Sequence, residues 1–174
     1  MATKDASLHA LIDCGALLAG YSNADVAKFL LKECLSHSHS ILKGVTYFDE
    51  RRNSWMILEA SGRCVERNLS PLMEKDTFAL FDEPHCRGVD LKLRQDAVAL
   101  LTLGPNICKD KVMQAAGRMR QLSAGQRLQM VGEPKIFQEI RRVNKLSCTK
   151  KTDIDDATKQ CYVGIEQILS WVLH

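Results

Sequence analysis

The chain has 174 residues, 45% of them hydrophobic, which is enough to bury one core and to form one domain of ordinary size. Its seven cysteines are odd in number and include no Cys-x-x-Cys pair, which argues against a disulfide framework or a zinc ribbon and favours reduced, intracellular thiols. The chain begins without the features of a signal peptide, and no apolar run approaches the ~20 residues needed to cross a bilayer. We therefore expect no membrane partner and a cytoplasmic or nuclear location.

The net charge of +3 conceals a local excess of basic residues. Residues 109–151 contain eleven Lys and Arg against three acidic residues, whereas residues 1–108 and 152–174 are both weakly acidic. Such a block attracts phosphate, although a solvated helix surface is the alternative interpretation. Phe137 is the only aromatic residue in the block, so the sequence does not support stacking on the bases of single strands.

The predicted elements alternate between strands and helices. In chain order, the predicted strands are Leu8–Cys14, Gly44–Phe48, Trp55–Glu59, Arg63–Arg67, Phe78–Asp82, Ala97–Leu103 and Arg127–Val131. The predicted helices cover residues 24–35 with Asn23 as the cap, residues 109–122, and residues 134–143 with Pro134 in the first turn. The third and fourth strands alternate like a hairpin, which is an antiparallel addition. This pattern predicts a three-layer α/β domain with a mainly parallel sheet over residues 1–146.

The last part of the chain follows a different pattern. After a polar stretch, the sequence predicts a helix that begins near Asp153, and we interpret residues 147–174 as a linker followed by this helix. Its apolar residues recur at three- and four-residue steps, on one face: Ile154, Ala157, Cys161, Ile165, Ile168 and Val172. We expect this amphipathic helix to pack back on the domain. The alternative is that it docks a further part of a longer chain.

Two polar motifs are associated with the strands at residues 78–82 and 97–103. The first strand runs into DEPH at residues 82–85 and RGVDL at residues 87–91, and the second precedes a helix with QAAGRMR at residues 114–120. RGVDL resembles the fifth motif of superfamily 2 helicases, and Gln-x-x-Gly-Arg resembles the sixth, in the same order and at a similar separation. Both motifs belong to the second RecA-like lobe, so the resemblance implies a sheet of the RecA-like, P-loop NTPase type.

A longer run carries a second resemblance. From FDEPHCRGVDLKL through TLGP, KDKVMQAAGRMRQL and GQ, the chain is similar to an uncharacterised family of very large eukaryotic proteins that are often labelled ubiquitinyl hydrolases. The similarity covers roughly residues 8 to 140. It implies that the domain belongs to a larger protein, and the label suggests ubiquitin-pathway proteins as partners.

The helicase resemblance implies a nucleotide held between two lobes. The residues that this lobe contributes to nucleotide binding are then Gly88, Asp90, Gln114 and Gly117, with Arg118 and Arg120 as candidate arginine fingers. The alternative is that these two arginines pair with Asp82, Glu83 or Asp90 and only hold the lobe together. In the helicase pattern the second arginine falls at position 121, which is Gln121 here. An apolar strand followed by Asp-Glu-x-His also resembles a Walker B site, but the chain has no GxxxxGK[ST] motif. We therefore expect ATP and magnesium to bind only together with a missing first lobe, and the chain to be inactive alone.

Helicase lobes of this kind also contact the nucleic-acid backbone. The residues that the sequence suggests for contacts with RNA or DNA phosphates are Lys109, Lys111, Arg127, Arg141 and Lys145. If these basic residues prove to be solvated surface only, a non-catalytic protein-interaction domain becomes the preferred interpretation.

A thiol-dependent ubiquitinyl hydrolase is the alternative from a different class. Such an enzyme needs a cysteine that a histidine activates, and the candidates are Cys14, His85 and Cys86, with Asp82 or Asp90 to orient the imidazole. Adjacent residues such as His85 and Cys86 seldom direct their side chains to one point, and buried, inert thiols are the simpler interpretation. The sequence predicts no metal site.

Overall fold

The computed structural model describes residues 8–36, 41–86, 89–105 and 107–144, together with residues 154–155, 160–161, 168 and 170–171. In chain order, the elements are β1 (Ala10–Ile12), α1 (Asn23–Ser36), β2 (Gly44–Asp49), β3 (Ser54–Glu59), β4 (Cys64–Glu66), β5 (Phe78–Phe81), β6 (Val98–Leu103), α2 (Lys109–Ala116), β7 (Arg127–Gly132), α3 (Pro134–Val143), β8 (Ile154–Asp155) and β9 (Gln160–Cys161). Within the described residues, no helix is long and apolar enough to cross a bilayer.

The main sheet has seven strands in the order β4-β3-β2-β5-β1-β6-β7. Strands β2, β5, β1, β6 and β7 run parallel to one another, whereas β3 pairs antiparallel with both β2 and β4. The α/β class, the mainly parallel sheet and the added hairpin are therefore confirmed.

Helices cover both faces of the sheet. On one face, Ala27 and Leu31 of α1 pack with Val45 and Leu80 in one buried cluster. On the other face, α2 and α3 pack on alternate residues of β1, β5 and β6 in a second buried cluster. This cluster includes Ile12, Phe81 and Leu101 of the strands and Val112, Ala115, Ile136 and Ile140 of the helices. In the strand order, β2 lies on one side of β1, whereas β7 lies on the opposite side of β6, so the connections β1–β2 and β6–β7 cross the sheet in opposite senses. Because such crossovers are right-handed, the connecting helices lie on opposite faces.

The carboxyl ends of β1, β5 and β6 meet at one edge of the sheet. Strand β1 lies between β5 and β6, and the chain leaves it for the β5 side of the sheet. The loops that follow β1 and β6 therefore diverge to opposite faces, which is the position where open α/β sheets form a ligand crevice. We call this the carboxyl edge.

The first helix has a different cap from the one predicted. Ser22, not Asn23, caps α1, because its hydroxyl accepts a hydrogen bond from Asp25 N at 3.1 Å and donates to the Asp25 carboxylate at 2.7 Å. The first of these bonds is the N-cap contact, which satisfies a backbone N–H of the first turn. Asn23 is buried and donates from Nδ2 to Phe48 O at 3.1 Å, which ties the start of the helix to the end of β2.

The second helix is shorter than predicted. It ends at Ala116, and Gly117 caps it, so the prediction of a helix to residue 122 is wrong. Arg118 N and Met119 N then bond to carbonyls three residues back, at 3.0 and 2.9 Å, in tightened turns. These turns place Met119 in the core at 2% exposure, and burial of this side chain compensates for the helix hydrogen bonds that are not made.

The predicted helix from Asp153 is not observed at its start. Ile154 pairs with Cys161, and Asp155 with Gln160, in a short antiparallel ladder, so these positions are extended. Residues 152–158 include three Asp and two Thr, residue types of low helix propensity, and this weakens a helix there. Further on, the side chains of Ile168 and Trp171 lie in helical turns and are buried in the core that α2 and α3 cover.

Candidate functional site

A buried aspartate fixes the loop that follows β1. The Asp13 side chain is 3% exposed, and it accepts hydrogen bonds from Leu17 N and Leu18 N at 2.9 Å and from Thr102 Oγ1 at 2.7 Å. The Thr102 oxygen in turn accepts from Gly15 N at 2.8 Å. This network joins the end of β1 to β6 and shapes the carboxyl edge. A lone Asp at the end of an apolar strand, followed by Cys-Gly, was the sequence signal for it.

Two glycines allow the loops after β1 and β6 to touch. A Cβ atom on Gly15 would lie 2.5 Å from Gly104 N, and one on Gly104 would overlap the carbonyl oxygen of Gly15. Any larger residue at either position requires the backbone to move. The contact therefore needs glycine on both sides.

The cysteine at this edge is buried. Cys14 lines a cavity of about 410 Å³ together with Ala16, Pro105, Lys111 and Glu133, but its own side chain has no solvent exposure. Its Sγ donates to Lys111 O at 3.5 Å. The pKa of the Cys14 thiol is raised to about 11, mainly by burial; the positive charge of Lys111 opposes this effect, and the negative charges of Glu83 and Asp13 add to it. The thiol is therefore protonated at neutral pH, which favours a structural role over that of a nucleophile.

An oriented histidine follows β5. Both carboxylate oxygens of Asp82 lie 2.8 Å from Nδ1 of His85. The imidazole stacks on Phe48, with ring centroids 3.6 Å apart. The rings of Trp55 and His85 meet edge to face, with centroids 6.3 Å apart. These contacts fix the ring at the carboxyl edge. The side chain of Cys86 lies outside the described residues, so its relation to this histidine stays a prediction.

The segment of residues 83–90 is tied to α2 at both ends, and we call it the tethered segment. Glu83 Oε1 lies 2.6 Å from Lys111 Nζ at the start of the helix. At the other end, Arg120 Nε lies 3.1 Å from Asp90 Oδ1, and Arg118 Nη1 donates to the carbonyl oxygen of Val89. Glu83 therefore lies at the start of α2, whereas Val89 and Asp90 contact the turns that follow its end.

The two arginines differ in how firmly they are held. Arg118 is half-buried, and besides Val89 O it donates from Nε to Gln114 O at 3.4 Å. Arg120 and Asp90 are 55% and 64% exposed, so their ion pair is screened by water and contributes at most about 1 kcal/mol. Arg118 therefore holds the segment, whereas Arg120 can exchange partners.

The remaining predicted nucleotide-binding residues are only partly described. The Gln114 side chain is exposed on α2, and Gly117 caps the helix in a right-handed conformation. Because the helix ends before Arg118, Gln114 lies on α2 and Arg118 in the turns that follow it. Gly88 lies outside the described residues.

The structure does not gather the predicted nucleic-acid-binding residues into one surface. Lys109 and Lys111 begin α2 at the carboxyl edge, and Lys111 is paired with Glu83. Arg127 begins β7 and pairs with Val98 at the start of β6, so it lies at the amino-terminal ends of the parallel strands, opposite the carboxyl edge. Arg141 is in the last turn of α3, which runs back toward the amino-terminal ends of these strands. Lys145 lies outside the described residues.

Among the residues that the structure describes, no group of three or more His, Cys, Asp or Glu side chains is arranged to hold a metal ion. Comparison with known protein families, with curated proteins and with solved structures gives no match.

Proposed function

We propose that this chain is the second lobe of a superfamily 2 helicase-like nucleoside triphosphatase, and that the tethered segment and the turns after α2 form its half of the nucleotide site. One observation carries the proposal. Asp90 and Arg120 are 30 residues apart in the chain, yet their side chains form an ion pair, with Arg118 on the neighbouring carbonyl of Val89. This convergence is what the resemblance to the fifth and sixth helicase motifs requires.

The chemistry of the proposed site depends on guanidinium groups. A planar guanidinium donates in a fork to phosphate oxygens and neutralises the charge that develops during phosphoryl transfer. Arg120 has the exposure and the weak pairing that such a role needs, because a phosphate can displace Asp90 from it at a cost of at most about 1 kcal/mol. Arg118 positions the tethered segment through Val89 O.

The place of the second arginine in the motif agrees with this division of roles. On a continuous helix, Arg118 and Arg120 would point about 160° apart. The helix ends at Ala116, however, and tightened turns follow, so both side chains reach the same segment. The one-residue departure from the helicase pattern therefore does not prevent the two arginines from acting together.

The proposed site is half of a complete one. The arginines and the exposed Gln114 offer donors that suit the oxygens of a triphosphate, but the sequence has no GxxxxGK[ST] loop to cradle the phosphates. A first lobe must supply that loop, its lysine and the carboxylate for magnesium. We expect the chain alone to hydrolyse no ATP above background.

A thiol-dependent ubiquitinyl hydrolase has less support. Asp82 orients His85 as such an enzyme would need, but Cys14 is buried and its pKa is raised to about 11. The chain should therefore cleave no ubiquitin conjugate. Steady cleavage that is lost in Cys14→Ala would restore this alternative.

Chemical-shift mapping tests the proposed nucleotide site. The isotope-labelled chain is titrated with ATP and with ADP, each with magnesium, and the amide signals are followed. We expect weak binding, with shifts at Asp90, Gln114, Arg118 and Arg120 that are larger for ATP. Arg120→Ala should abolish this preference. The control is Arg63→Ala, which removes another exposed, carboxylate-paired arginine.

Two results would contradict the proposal. One is a set of shifts centred on the carboxyl-edge cavity at residues 14–17. The other is binding that is the same for ATP and ADP and indifferent to Arg120.

A further inference from the structure

A second concave surface lies between the turn after β4 and the turn before β5, and Lys92, two residues beyond Asp90, also lines it. It encloses about 470 Å³. We call it the lysine groove, and the residues that line it include Arg67, Leu72, Met73, Glu74, Lys75 and Lys92. Its chemistry is a mixture of exposed cations and apolar side chains.

The mostly buried carboxylate of Glu74 fixes the shape of the groove. Glu74 Oε1 lies 3.1 Å from Arg67 Nη1, and Glu74 Oε2 accepts a hydrogen bond from Lys92 N at 2.7 Å. The Glu74 side chain is 19% exposed, and both of its oxygens have partners. Three separate stretches of chain are thereby joined, so the groove exists before any ligand binds.

The positive charge of the groove is not neutralised. Glu74 is paired with Arg67, which leaves Lys75 and Lys92 as two exposed ammonium groups. Neither lysine side chain has an ion-pair partner within the described residues. A ligand with carboxylates therefore gains charge pairing here without breaking a pair already made.

The groove also carries exposed apolar surface. Met73 is 60% exposed, and Leu69, in the turn after β4, is 73% exposed. Leu72, which lines the groove, is half-buried. Methionine adapts its shape to different apolar partners and is frequent on surfaces that bind peptides. Two exposed apolar side chains beside a preformed cavity favour a ligand with an apolar side chain of its own.

We propose that the lysine groove docks a short acidic peptide segment of a partner protein. An apolar side chain of the peptide packs on Met73 and Leu72, and carboxylates on either side of it pair with Lys75 and Lys92. A nucleic acid fits less well, because the lining residues include no aromatic ring for a base and the apolar side chains offer nothing to a phosphate. This inference does not depend on the proposed nucleotide site.

Peptide titration tests the docking site. A fluorescent synthetic peptide in which leucines alternate with aspartates is titrated with the chain at low salt, and its anisotropy is measured. Two comparison ligands are the same peptide with serines in place of the leucines and a labelled oligouridine. We expect the leucine peptide to bind, the serine peptide to bind several-fold more weakly, and added salt to weaken both.

Charge reversal then locates the binding. The double variant Lys75→Glu, Lys92→Glu should weaken binding of the leucine peptide at least about ten-fold, because two favourable ion pairs become repulsive. The matched control is Lys32→Glu, Lys135→Glu, which changes the net charge equally at exposed positions of α1 and α3. Met73→Ser should weaken binding of the leucine peptide but leave binding of the serine peptide unchanged. Thermal unfolding checks that each variant is folded.

Three outcomes would overturn the proposal. The first is the absence of leucine-peptide binding at low salt. The second is an equal loss of binding in the control double variant, because the peptide would then respond only to net charge. The third is oligouridine binding that is tighter than peptide binding and is lost in the Lys75, Lys92 variant, because the groove would then be a surface for nucleic acid.

Discussion

Arg120 Nε and Asp90 Oδ1 lie 3.1 Å apart, and both side chains are more than half exposed, at 55% and 64%. A phosphate that approaches Arg120 must compete with this carboxylate. We therefore predict that Asp90→Asn tightens ATP binding several-fold, because the substitution frees Arg120 and removes a negative charge near the triphosphate. Nucleotide titration of the variant and the parent chain measures the change.

The same variant distinguishes two roles for Asp90. If Asp90 instead accepts a hydrogen bond from the ribose hydroxyl, Asp90→Asn should weaken ATP and ADP equally. The control is Asp96→Asn, which removes another exposed carboxylate paired with an arginine. Neither substitution should change the free energy of unfolding by more than about 0.5 kcal/mol, since exposed ion pairs contribute little.

The raised pKa of Cys14 makes stability depend on pH in the alkaline range. The unfolded thiol titrates near its ordinary value of 9.0, whereas in the folded chain the pKa is about 11. Between these values the unfolded state releases a proton that the folded state keeps, so the free energy of unfolding falls as pH rises. We predict a loss of about 2 kcal/mol between pH 9 and pH 11.

Urea unfolding at several pH values measures this loss. The comparison is Cys14→Ala, which has no thiol to titrate and should show a flatter dependence on pH over the same range. Tyr47, whose pKa burial also raises, titrates in both proteins and cancels in the difference. Equal slopes for the two proteins would mean that Cys14 is not buried as described.

The Asp13 network should be among the most sensitive polar features of the fold. Asp13→Ala leaves Leu17 N, Leu18 N and the Thr102 hydroxyl without their acceptor in a buried region. We predict a loss of about 3 kcal/mol in the free energy of unfolding. Thr102→Val, which removes one donor and one acceptor but keeps the shape, should lose about 1 to 2 kcal/mol.

Chemical denaturation of the two variants checks this order. Asp25→Ala is the control, because Asp25 is fully exposed and its loss should affect only the first turn of α1. A loss for Asp13→Ala no larger than that of the control would contradict the network.

The two kinds of glycine in the chain should respond differently to alanine. Gly104→Ala places a methyl group on the carbonyl of Gly15, and we predict a loss of at least about 3 kcal/mol or failure to fold. Gly20 has a φ of 95° but nothing within 4 Å of its missing Cβ. Gly20→Ala should therefore lose only about 1 kcal/mol, from backbone strain. Thermal melts of both variants separate overlap from strain.

The strands were predictable because their signal is local. β2 and β6 are short apolar runs, and each is bounded by a turn residue such as Gly44 or Gly104. The capping error at Asn23 was avoidable, since Ser22 followed three residues later by Asp25 resembles a capping box. The end of α2 was harder to predict. Met119 and Leu122 continue the apolar spacing beyond Gly117, and only the packing of Met119 in the core explains the early turn.

The site was predictable in part for the same reason. The helicase resemblance implied that Asp90 and Arg118 belong to one nucleotide site, and Arg118 does contact the residue next to Asp90. It could not indicate that Arg120 takes the carboxylate, because that choice depends on where the helix ends. No pattern in the sequence predicts the lysine groove, since Glu74 and Lys92 meet only through the tertiary fold.

The tethered segment has a mechanical consequence. Its salt bridge from Glu83 to Lys111 and its contacts with Arg118 and Arg120 tie its two ends to α2 and to the turns that follow α2, so a displacement of the helix moves both ends together. If a phosphate takes Arg120 away from Asp90, Arg118 still holds the carbonyl oxygen of Val89. Nucleotide binding would then release a carboxylate at the surface of this lobe while the backbone beside it stays in place.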